Sequence, residues 1–475
     1  MPGHSPSWLT LDRTAGELEG QIYRGIRERI LLGRMPTGQR LPPSRSLAAS
    51  LGVSRSTVVD AYDRLKAEGY VAALTGSGTA VASIPVIQLE GQNSILPSTK
   101  IQSRQRVRGE ILTPGLPDVS DFPHAAWGRC LAARGRSLRV HDLGYDNPCG
   151  IDELREAILE HIAATRGIVA RSDQILIVPS TRAAIDLMAQ LLVRRQNKEA
   201  SVAWIEEPGY PAAQGLLRQA GANLVPVPCD QSGIDTARVT GPRPALIYVT
   251  PSHQYPTGAT MALPRRLSLL EMARTNQAIV LEDDYDSEFQ YGARPIAALQ
   301  GIDRGEVVAY LGTFSKVLAP GLRVAYAVIP TRMVADASTL LEQKGMAVPI
   351  HIQAALADFI REGRLRAYLR QMNARYSERM EAMISALSRH CGHMLDIADS
   401  SGGLQLATWF QDAGVDDQKI AQSLNDIGYG VQPLSQFYLG KARPGLLFGI
   451  SSIVPNQADS IASKIASVLS ARPKS

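Results

Sequence analysis

From about Leu112 onward the sequence alternates short apolar runs with helical stretches, and this alternation restricts the fold more than any other feature. The runs are QILIVPS, SVAWIEEPGYP, NLVPVPCD, PALIYVTPSH, QAIVLEDDYD, VVAYLGTFSK and RVAYAVIP. Strands this apolar are buried on both faces, which requires helices above and below the sheet. The expectation is an α/β domain built on a mixed, mostly parallel sheet. The region from the helical stretch IREGRLRAYLRQMNARYSERMEAMISAL to the C-terminus reads as a smaller α+β subdomain. The basic residues of that long helix read as a solvated face.

The N-terminal part has a different texture, and 475 residues leave room for more than one domain. In ELEGQIYRGIRERILLG, residues Leu18, Ile22, Ile26 and Ile30 fall on one helix face. PPSRSLAASLG reads as a short helix with Ser44 as N-cap and Gly52 as its stop. VSRSTVVDAYDRLKAEG follows, with Ser54 as N-cap and Gly69 as the terminator. YVAALTGSGTAVA then reads as two strands joined at Gly76-Ser77-Gly78. These proportions are those of a winged helix-turn-helix. Its second helix would offer Ser54, Arg55, Ser56 and Thr57 to the major groove and adjacent phosphates. Arg45 would clamp the DNA backbone, and Ser77 and Gly78 would form the wing tip beside the minor groove. The ordinary alternative is a three-helix packing unit.

Between these regions, SIPVIQLEGQNSILPSTKIQSRQRVRGE has no sustained periodicity and carries Lys100, Arg104, Arg106 and Arg108, as a linker does. The expected division is therefore a DNA-binding domain at 1–82, a linker at 83–110 and an α/β domain at 111–475. Cys130, Cys149, Cys229 and Cys391 are scattered and form no CxxC pair, which points to reduced thiols in a cytoplasmic protein. HCGH at 390–393 lacks further ligands nearby, and no metal site is expected. The opening MPGHSPSWLTLDRT has no basic start followed by an apolar run, so no signal peptide is expected; no membrane helix is expected either. A net charge of +5 is modest for this length and does not by itself argue for nucleic acid.

GTFSKVLAPGLRV places a lysine, Lys316, among small and hydroxyl residues, with Arg323 seven positions on. A lysine amine in a pocket that lowers its pKa is a nucleophile toward aldehydes, and its imine can hold pyridoxal 5'-phosphate (PLP). Such a pocket must also bind a phosphate, stack a ring and pair a pyridine nitrogen. Thr313, Ser315 and Arg323 flank the lysine as phosphate ligands. Ser180 and Thr181 stand at a strand-to-helix junction, where free N–H groups favour an anion. Asp283 ends a buried strand and suits the ring N–H⁺, Tyr285 suits the phenolic oxygen, and Tyr210 suits ring stacking. Each of these has an ordinary reading alone: a solvated lysine, a strand-end charge cluster, a proline-glycine turn.

Two resemblances join these observations. GQRLPPSRSLAASLGVSRSTVVDAYDRLKAEGYVAALTGSGTAV resembles the winged helix-turn-helix of the GntR superfamily. Residues from about 112 to about 470 resemble the fold-type I aminotransferases in the order of their motifs. GYDNPCGIDELREAI resembles the segment whose tyrosine, here Tyr145, reaches the phosphate of the partner subunit's cofactor. VTPSHQYPTG resembles the segment near the phenolic oxygen, with Tyr255 where enzymes of the fold usually carry asparagine. Together, and with TPSHQYPTG and EDDYDSEF, the chain resembles the MocR/GabR family of PLP-binding transcriptional regulators. The resemblance implies a homodimer in which each head lies against the other subunit's aminotransferase-like domain. It also implies a DNA operator as partner, and as effector either PLP itself or a PLP-reactive amine or amino acid.

Two positions depart from the enzymes. Ser180 stands where a glycine is common, and in GLLFGISS Leu447 stands where an arginine usually grips the substrate carboxylate, with Arg443 a few residues upstream. The second departure weakens a transaminase reading and favours PLP or a non-carboxylate ligand as signal. A PLP-dependent regulator, an active aminotransferase with an accessory DNA-binding domain, and a DNA-binding protein with an empty structural domain are the three readings. Retention of Lys316, Asp283 and Arg323 counts against the last.

Overall fold

The computed structural model describes residues 8–74, 78–83, 111–137, 140–144, 147–193, 201–239, 241–292, 296–304 and 307–471. The chain forms two compact units, Met1–Gln105 and Arg106–Ser475. Ser77, Tyr145 and the basic run from Lys100 to Arg108 lie outside the described residues.

In the first unit, α1 (Leu18–Leu31), α2 (Ser44–Leu51) and α3 (Arg55–Ala67) precede β1 (Val71–Leu74) and β2 (Gly78–Val81). The four-residue spacing in α1 buries Ile22, Ile26 and Ile30 against Leu47, Val58, Ala61 and Leu65, while Leu18 is half-buried. Arg64 of α3 stacks over the Tyr23 ring at 4.0 Å, which ties α3 to α1. Gly52 ends α2 with a left-handed φ of 64°, so that the chain turns at once into Ser54 and α3. Ser54 caps α3, its Oγ accepting the Thr57 N–H at 3.1 Å. Ser44 does not cap α2. Pro43 occupies that place in extended conformation, Ser44 is already the first helical residue, and proline has no side-chain acceptor to offer. β1 and β2 pair antiparallel from Val71↔Val81 to Leu74↔Gly78, and an antiparallel bridge from Arg40 to Ala80 extends this wing.

The second unit is built on eight strands: β3 (Ile175–Val178), β4 (Val202–Glu207), β5 (Asn223–Asp230), β6 (Gly233–Ile234), β7 (Leu246–Val249), β8 (Ile279–Asp284), β9 (Val308–Thr313) and β10 (Ala325–Val328). Their order is β3-β10-β9-β8-β7-β4-β5-β6. The run β9-β8-β7-β4-β5 is parallel, whereas β10 is antiparallel to both β9 and β3, and β6 to β5. Every residue of β3, β7, β8, β9 and β10 is buried, as strands covered on both faces must be. β5 departs from that pattern. It stands next to the short edge strand, carries Pro226 and Pro228, and leaves several positions exposed.

One face packs Leu176, Tyr248, Leu281 and Leu311 against the helix Thr181–Val193; the other packs Trp204, Ile247, Val280 and Val308 against the helix Leu263–Asn276. Because the central strands are parallel, their carboxyl ends converge along one edge, where α/β sheets bind ligands.

The C-terminal subdomain has four antiparallel strands: β11 (Leu395–Ile397), β12 (Gln405–Phe410), β13 (Gln432–Pro433) and β14 (Gly445–Gly449), in the order β11-β12-β14-β13. Leu406, Phe410, Leu446 and Phe448 face the main core together with residues of the helices Arg364–Cys391 and Ala458–Ser470. The opposite faces carry Gln405, Ala407 and Leu447. The basic helix is more than a solvated face: Arg375 pairs with Asp121, and Arg379 reaches Asp118 at 2.8 Å. Ahead of the sheet, residues 111–115 run along the subdomain, the Ile111 and Leu112 carbonyls accepting from the Gly430 and Gly449 N–H groups at 2.7 Å each.

Candidate cofactor cleft and nucleic-acid interface

The parallel strands deliver the expected side chains to one end of the sheet. Asp283 is the penultimate residue of β8 and is buried between the neighbouring strands. The Tyr248 hydroxyl, from β7, donates to its Oδ2 at 2.5 Å. Its Oδ1 is buried with no hydrogen-bond partner among the described residues. Burial pushes the Asp283 carboxyl up to about 7, with the nearby Asp284 adding to the rise; the Tyr248 hydrogen bond and the Lys316 charge pull it down.

Asp284 is held differently. It forms a buried ion pair with Arg166 at 2.8 Å and accepts the Tyr310 hydroxyl at 2.7 Å. The two adjacent carboxylates differ in what holds them: Asp284 is paired with the Arg166 cation, Asp283 is held by a tyrosine hydroxyl, and each keeps a buried Oδ1 without a hydrogen-bond partner among the described residues.

Lys316 lies in the short helix Phe314–Val317 at the end of β9 and donates to the Gly115 carbonyl in the segment along the subdomain. Thr313 caps that helix, its Oγ1 accepting the Ser315 N–H at 3.1 Å. Arg323 is exposed and held at a left-handed φ of 54°, a conformation that favours glycine, so an arginine persists there against a backbone cost. Ser180 and Thr181 stand where β3 turns into the helix Thr181–Val193, and Ser180 Oγ accepts the Ala183 N–H at 3.2 Å.

The aromatic residues come together. Tyr255 meets Tyr210, Tyr285 and Phe437 edge-on, with ring centroids 5.3, 5.7 and 5.4 Å apart. Tyr285 is half-buried as a residue, and desolvation, with Asp286 nearby, raises its hydroxyl well above its ordinary value. Leu447 is fully buried in a small apolar cluster with Ala407, Leu434 and Phe437, against which Tyr255 packs. Arg443 does not take its place. It pairs with Asp396 at 2.5 Å and lies 5.3 Å over Trp409, in the wall of a separate cleft of about 580 Å³ shared with Pro208, Cys229 and Tyr438.

Four contributors escape a reading of the sequence. Tyr248 holds Asp283, Gln405 donates to the Tyr285 hydroxyl at 3.2 Å, Arg182 donates to the Tyr210 hydroxyl at 3.2 Å, and Gly115 receives Lys316. Only Tyr248 leaves a signal, as a hydroxyl in the otherwise apolar run ALIYV. Glu206 is a further buried carboxyl, pushed up to about 7 by burial; its Oε2 accepts the Thr250 hydroxyl at 2.6 Å and so pins the start of the TPSHQYPTG loop. Among the described residues, no group of three or more His, Cys, Asp or Glu side chains is placed to hold a metal ion.

In the first unit, Arg45, Ser54, Arg55 and Ser56 are exposed together at the amino-terminal ends of α2 and α3, with Thr57 half-buried behind them. Neither helix carries an acidic residue in its first turn, so helix dipole and guanidinium charges act in the same sense toward an anion. Ser54 Oγ lies 2.7 Å from both Ser56 Oγ and Thr57 Oγ1, which fixes the hydroxyl cluster. Gly78 opens β2 with a φ of 98° that other residues rarely adopt.

Comparison with known proteins agrees with both halves. Residues 18–81 match the family described as bacterial regulatory proteins, gntR family, and residues 133–447 match aminotransferase class I and II. The probable rhizopine catabolism regulatory protein MocR of Rhizobium meliloti is 37% identical over 462 residues, covering 94% of this chain and 93% of that protein. The HTH-type pyridoxine biosynthesis transcriptional regulator PdxR of Corynebacterium glutamicum is 31% identical over 438 residues, covering 91% of each. Among solved structures, the α-aminoadipate aminotransferase LysN of Thermus thermophilus, complexed with N-(5'-phosphopyridoxyl)-L-leucine, superposes with a TM-score of 0.69 at 25% identity over 76% of this chain and 92% of that one. No helix among the described residues is long and apolar enough to cross a membrane. With a GntR-type head preceding a fold-type I aminotransferase domain, and full-length relatives of the same construction, the chain belongs to the MocR group of helix-turn-helix transcriptional regulators.

Proposed function

We propose that the head, taken as residues 1–82, reads duplex DNA, and that the domain from 111 to 475 holds PLP and senses a small molecule at it, with 83–110 linking the two. The observation that carries the cofactor assignment is the Asp283 carboxylate: one oxygen fixed by Tyr248, the other buried and unpaired among the described residues. A buried acceptor without a donor is costly, and a protonated ring nitrogen supplies the missing donor with its charge.

The surrounding residues suit the remainder of the group. Lys316 supplies the amine that holds its aldehyde carbon. Thr313, Ser315, Arg323, Ser180 and Thr181 supply hydroxyls, a guanidinium and a helix amino terminus for its phosphate, and Tyr145 of the partner subunit adds to them in a head-to-tail homodimer. Tyr210 offers a ring face, while Tyr285 and Tyr255 border its phenolic oxygen. When bound, PLP supplies an electrophilic carbon that amines exchange onto and a ring that withdraws electrons.

Asp283 would keep the ring nitrogen protonated, the half-buried tyrosines would shield the ring edge from water, and Leu447 provides no charge for a substrate carboxylate. A regulator needs only that its ligand bind one arrangement of the dimer better than another. The pyridoxine biosynthesis function in the name of PdxR supports PLP itself as one signal; the rhizopine catabolism function in that of MocR supports a small organic effector as another.

The test is PLP uptake by the purified protein, followed by borohydride reduction and peptide mass analysis, with DNA binding measured in parallel on the region upstream of its own gene. Reduction should add the cofactor's mass to the peptide containing Lys316, and the loaded protein should shift that DNA. Label on another lysine, or no DNA binding at any PLP level, contradicts the proposal.

A further inference from the structure

The β12–β14 register puts Gln405 opposite Gly449 and Ala407 opposite Leu447. In a strand, alternate residues share a face, so Gln405, Ala407 and Leu447 stand on the side turned away from Leu406, Phe410 and Phe448. On that side they meet the tyrosine cluster: Leu447 packs in the group that Tyr255 joins, and the Gln405 amide reaches the Tyr285 hydroxyl at 3.2 Å. Gln405 is 4% exposed, and its Oε1 is buried without a hydrogen-bond partner among the described residues. The oxygen shares a carbon with the nitrogen that binds Tyr285, so it lies beside that hydroxyl. Whichever end of the amide meets Tyr285, the other end is an enclosed polar atom in need of a partner.

The anchoring is firm. The residue before Gln405, Leu404, is held by its N–H to Asp286 Oδ2 at 3.1 Å, and Asp286 itself follows Tyr285. Two consecutive residues of the subdomain thus grip two consecutive residues of the segment after β8. Asp286 Oδ1 is fixed in turn by His253 Nδ1 at 2.8 Å. An amide held this way cannot swing out to water, so a ligand must satisfy it or leave it unpaired.

We propose that Gln405 is a specificity-determining residue of the cleft: its amide nitrogen fixes the Tyr285 hydroxyl, and its oxygen receives an N–H or O–H donor of the effector. With Leu447 on the same face, the cleft selects a small amine that carries a second donor, such as an amino alcohol, over a plain amine or an α-amino acid. A site built to hydrogen-bond a donor rejects the analogue that lacks it, because the buried acceptor is left unpaired. This inference rests on the reading of the cleft as a PLP-holding sensor.

The experiment titrates PLP-loaded full-length protein with ethanolamine, ethylamine and glycine as probes, following the visible absorbance of the cofactor, for wild type, Gln405→Leu and Gln405→Glu. PLP uptake before titration tests the underlying reading separately: wild-type protein that takes up no PLP overturns that reading and this inference with it. In wild type, ethanolamine should bind roughly tenfold more tightly than ethylamine or glycine. Gln405→Leu should abolish the preference for ethanolamine over ethylamine, whatever the loss of the Tyr285 contact does to the affinity for both, and Gln405→Glu, which keeps an acceptor, should preserve the preference. Equal binding of the three probes by PLP-loaded wild type, or an unchanged ethanolamine preference in Gln405→Leu, overturns the assignment. A Gln405→Glu protein that loads PLP yet loses the preference overturns it as well.

Discussion

The Tyr248 hydroxyl donates to one oxygen of Asp283 at 2.5 Å, and the second oxygen of the same carboxylate is enclosed without a partner among the described residues. The cofactor assignment depends on this relationship, and it has a consequence in solution. Asp283 has an ordinary value of 3.8 and is pushed up to about 7 in the fold, chiefly by burial. Between those values the folded protein keeps a proton that the unfolded chain has released, so this group's contribution to stability is complete below the lower value and is lost as pH rises through the higher one. In PLP-free protein, Asp283→Asn removes that loss. The variant should gain on wild type as pH rises from about 4 to about 7.5, by on the order of 3 kcal/mol. Urea unfolding at the two pH values measures the gap, and a gap independent of pH contradicts the assignment of the proton to Asp283.

The same substitution should weaken PLP binding. Losing the charge opposite a ring N–H⁺ costs about 1.5–3 kcal/mol, or roughly ten- to hundredfold in affinity. Absorbance titration of Asp283→Asn against wild type reads this directly, and equal affinities speak against Asp283 as the ring partner.

In the head, Arg45 and Arg55 should separate by kind of contact. Arg45→Ala should lower affinity about equally for all duplexes and reduce the slope of log affinity against log salt by about one. Arg55→Ala should in addition flatten the preference for the operator by about 1–3 kcal/mol. Ser54→Ala removes the cap of α3 and should lower the stability of the head by about 1 kcal/mol. Binding isotherms at several salt concentrations, with thermal unfolding of each variant, resolve the three.

Gly449 is a point of close packing. A Cβ there would lie 2.1 Å from the Thr113 carbonyl oxygen, which is backbone and cannot rotate aside. Gly449→Ala should therefore displace the segment at 111–115, break its hydrogen bond to Leu112, and cost about 1–3 kcal/mol or more. Because Gly115 in that segment receives Lys316, PLP uptake should slow or weaken in the same variant. Normal stability with normal uptake means that the segment does not support the lysine.

Leu447 leads to an expectation about catalysis. With a buried leucine in the apolar cluster and Arg443 committed to Asp396, a substrate α-carboxylate lacks its usual counter-charge at this wall. PLP-loaded protein given α-amino acids and a 2-oxo acid should show no multiple turnover, a result that discontinuous product assays can check. Sustained turnover favours the aminotransferase alternative.

Much of this arrangement is legible in the sequence because it is local. Apolar runs that end in hydroxyl or acidic residues mark both the strands and the residues at their ends, and Lys316, Asp283 and Ser180 lie where such runs stop. Ser54 is readable as a cap because it directly precedes a periodic stretch. Ser44 misleads because a proline before it can hold the capping conformation without a capping side chain. β5 reads as wholly buried because composition reports apolarity, and only the sheet order shows that a strand lies near an edge. The contacts that finish the site are out of reach for a physical reason: Tyr248–Asp283, Gln405–Tyr285 and Lys316–Gly115 join residues 35, 120 and 201 positions apart, and only the fold brings them together.

The most direct measurement of the central claim is DNA affinity with and without PLP, at fixed salt, for wild type and Lys316→Ala on the region upstream of the protein's own gene. Fixed salt is essential because phosphate contacts make affinity steeply salt-dependent. Coupling through the lysine requires that PLP change the affinity or the footprint of wild type, and that Lys316→Ala bind the same DNA without responding. An equal response in Lys316→Ala would contradict it, since the lysine would then play no part in coupling the cofactor to the head.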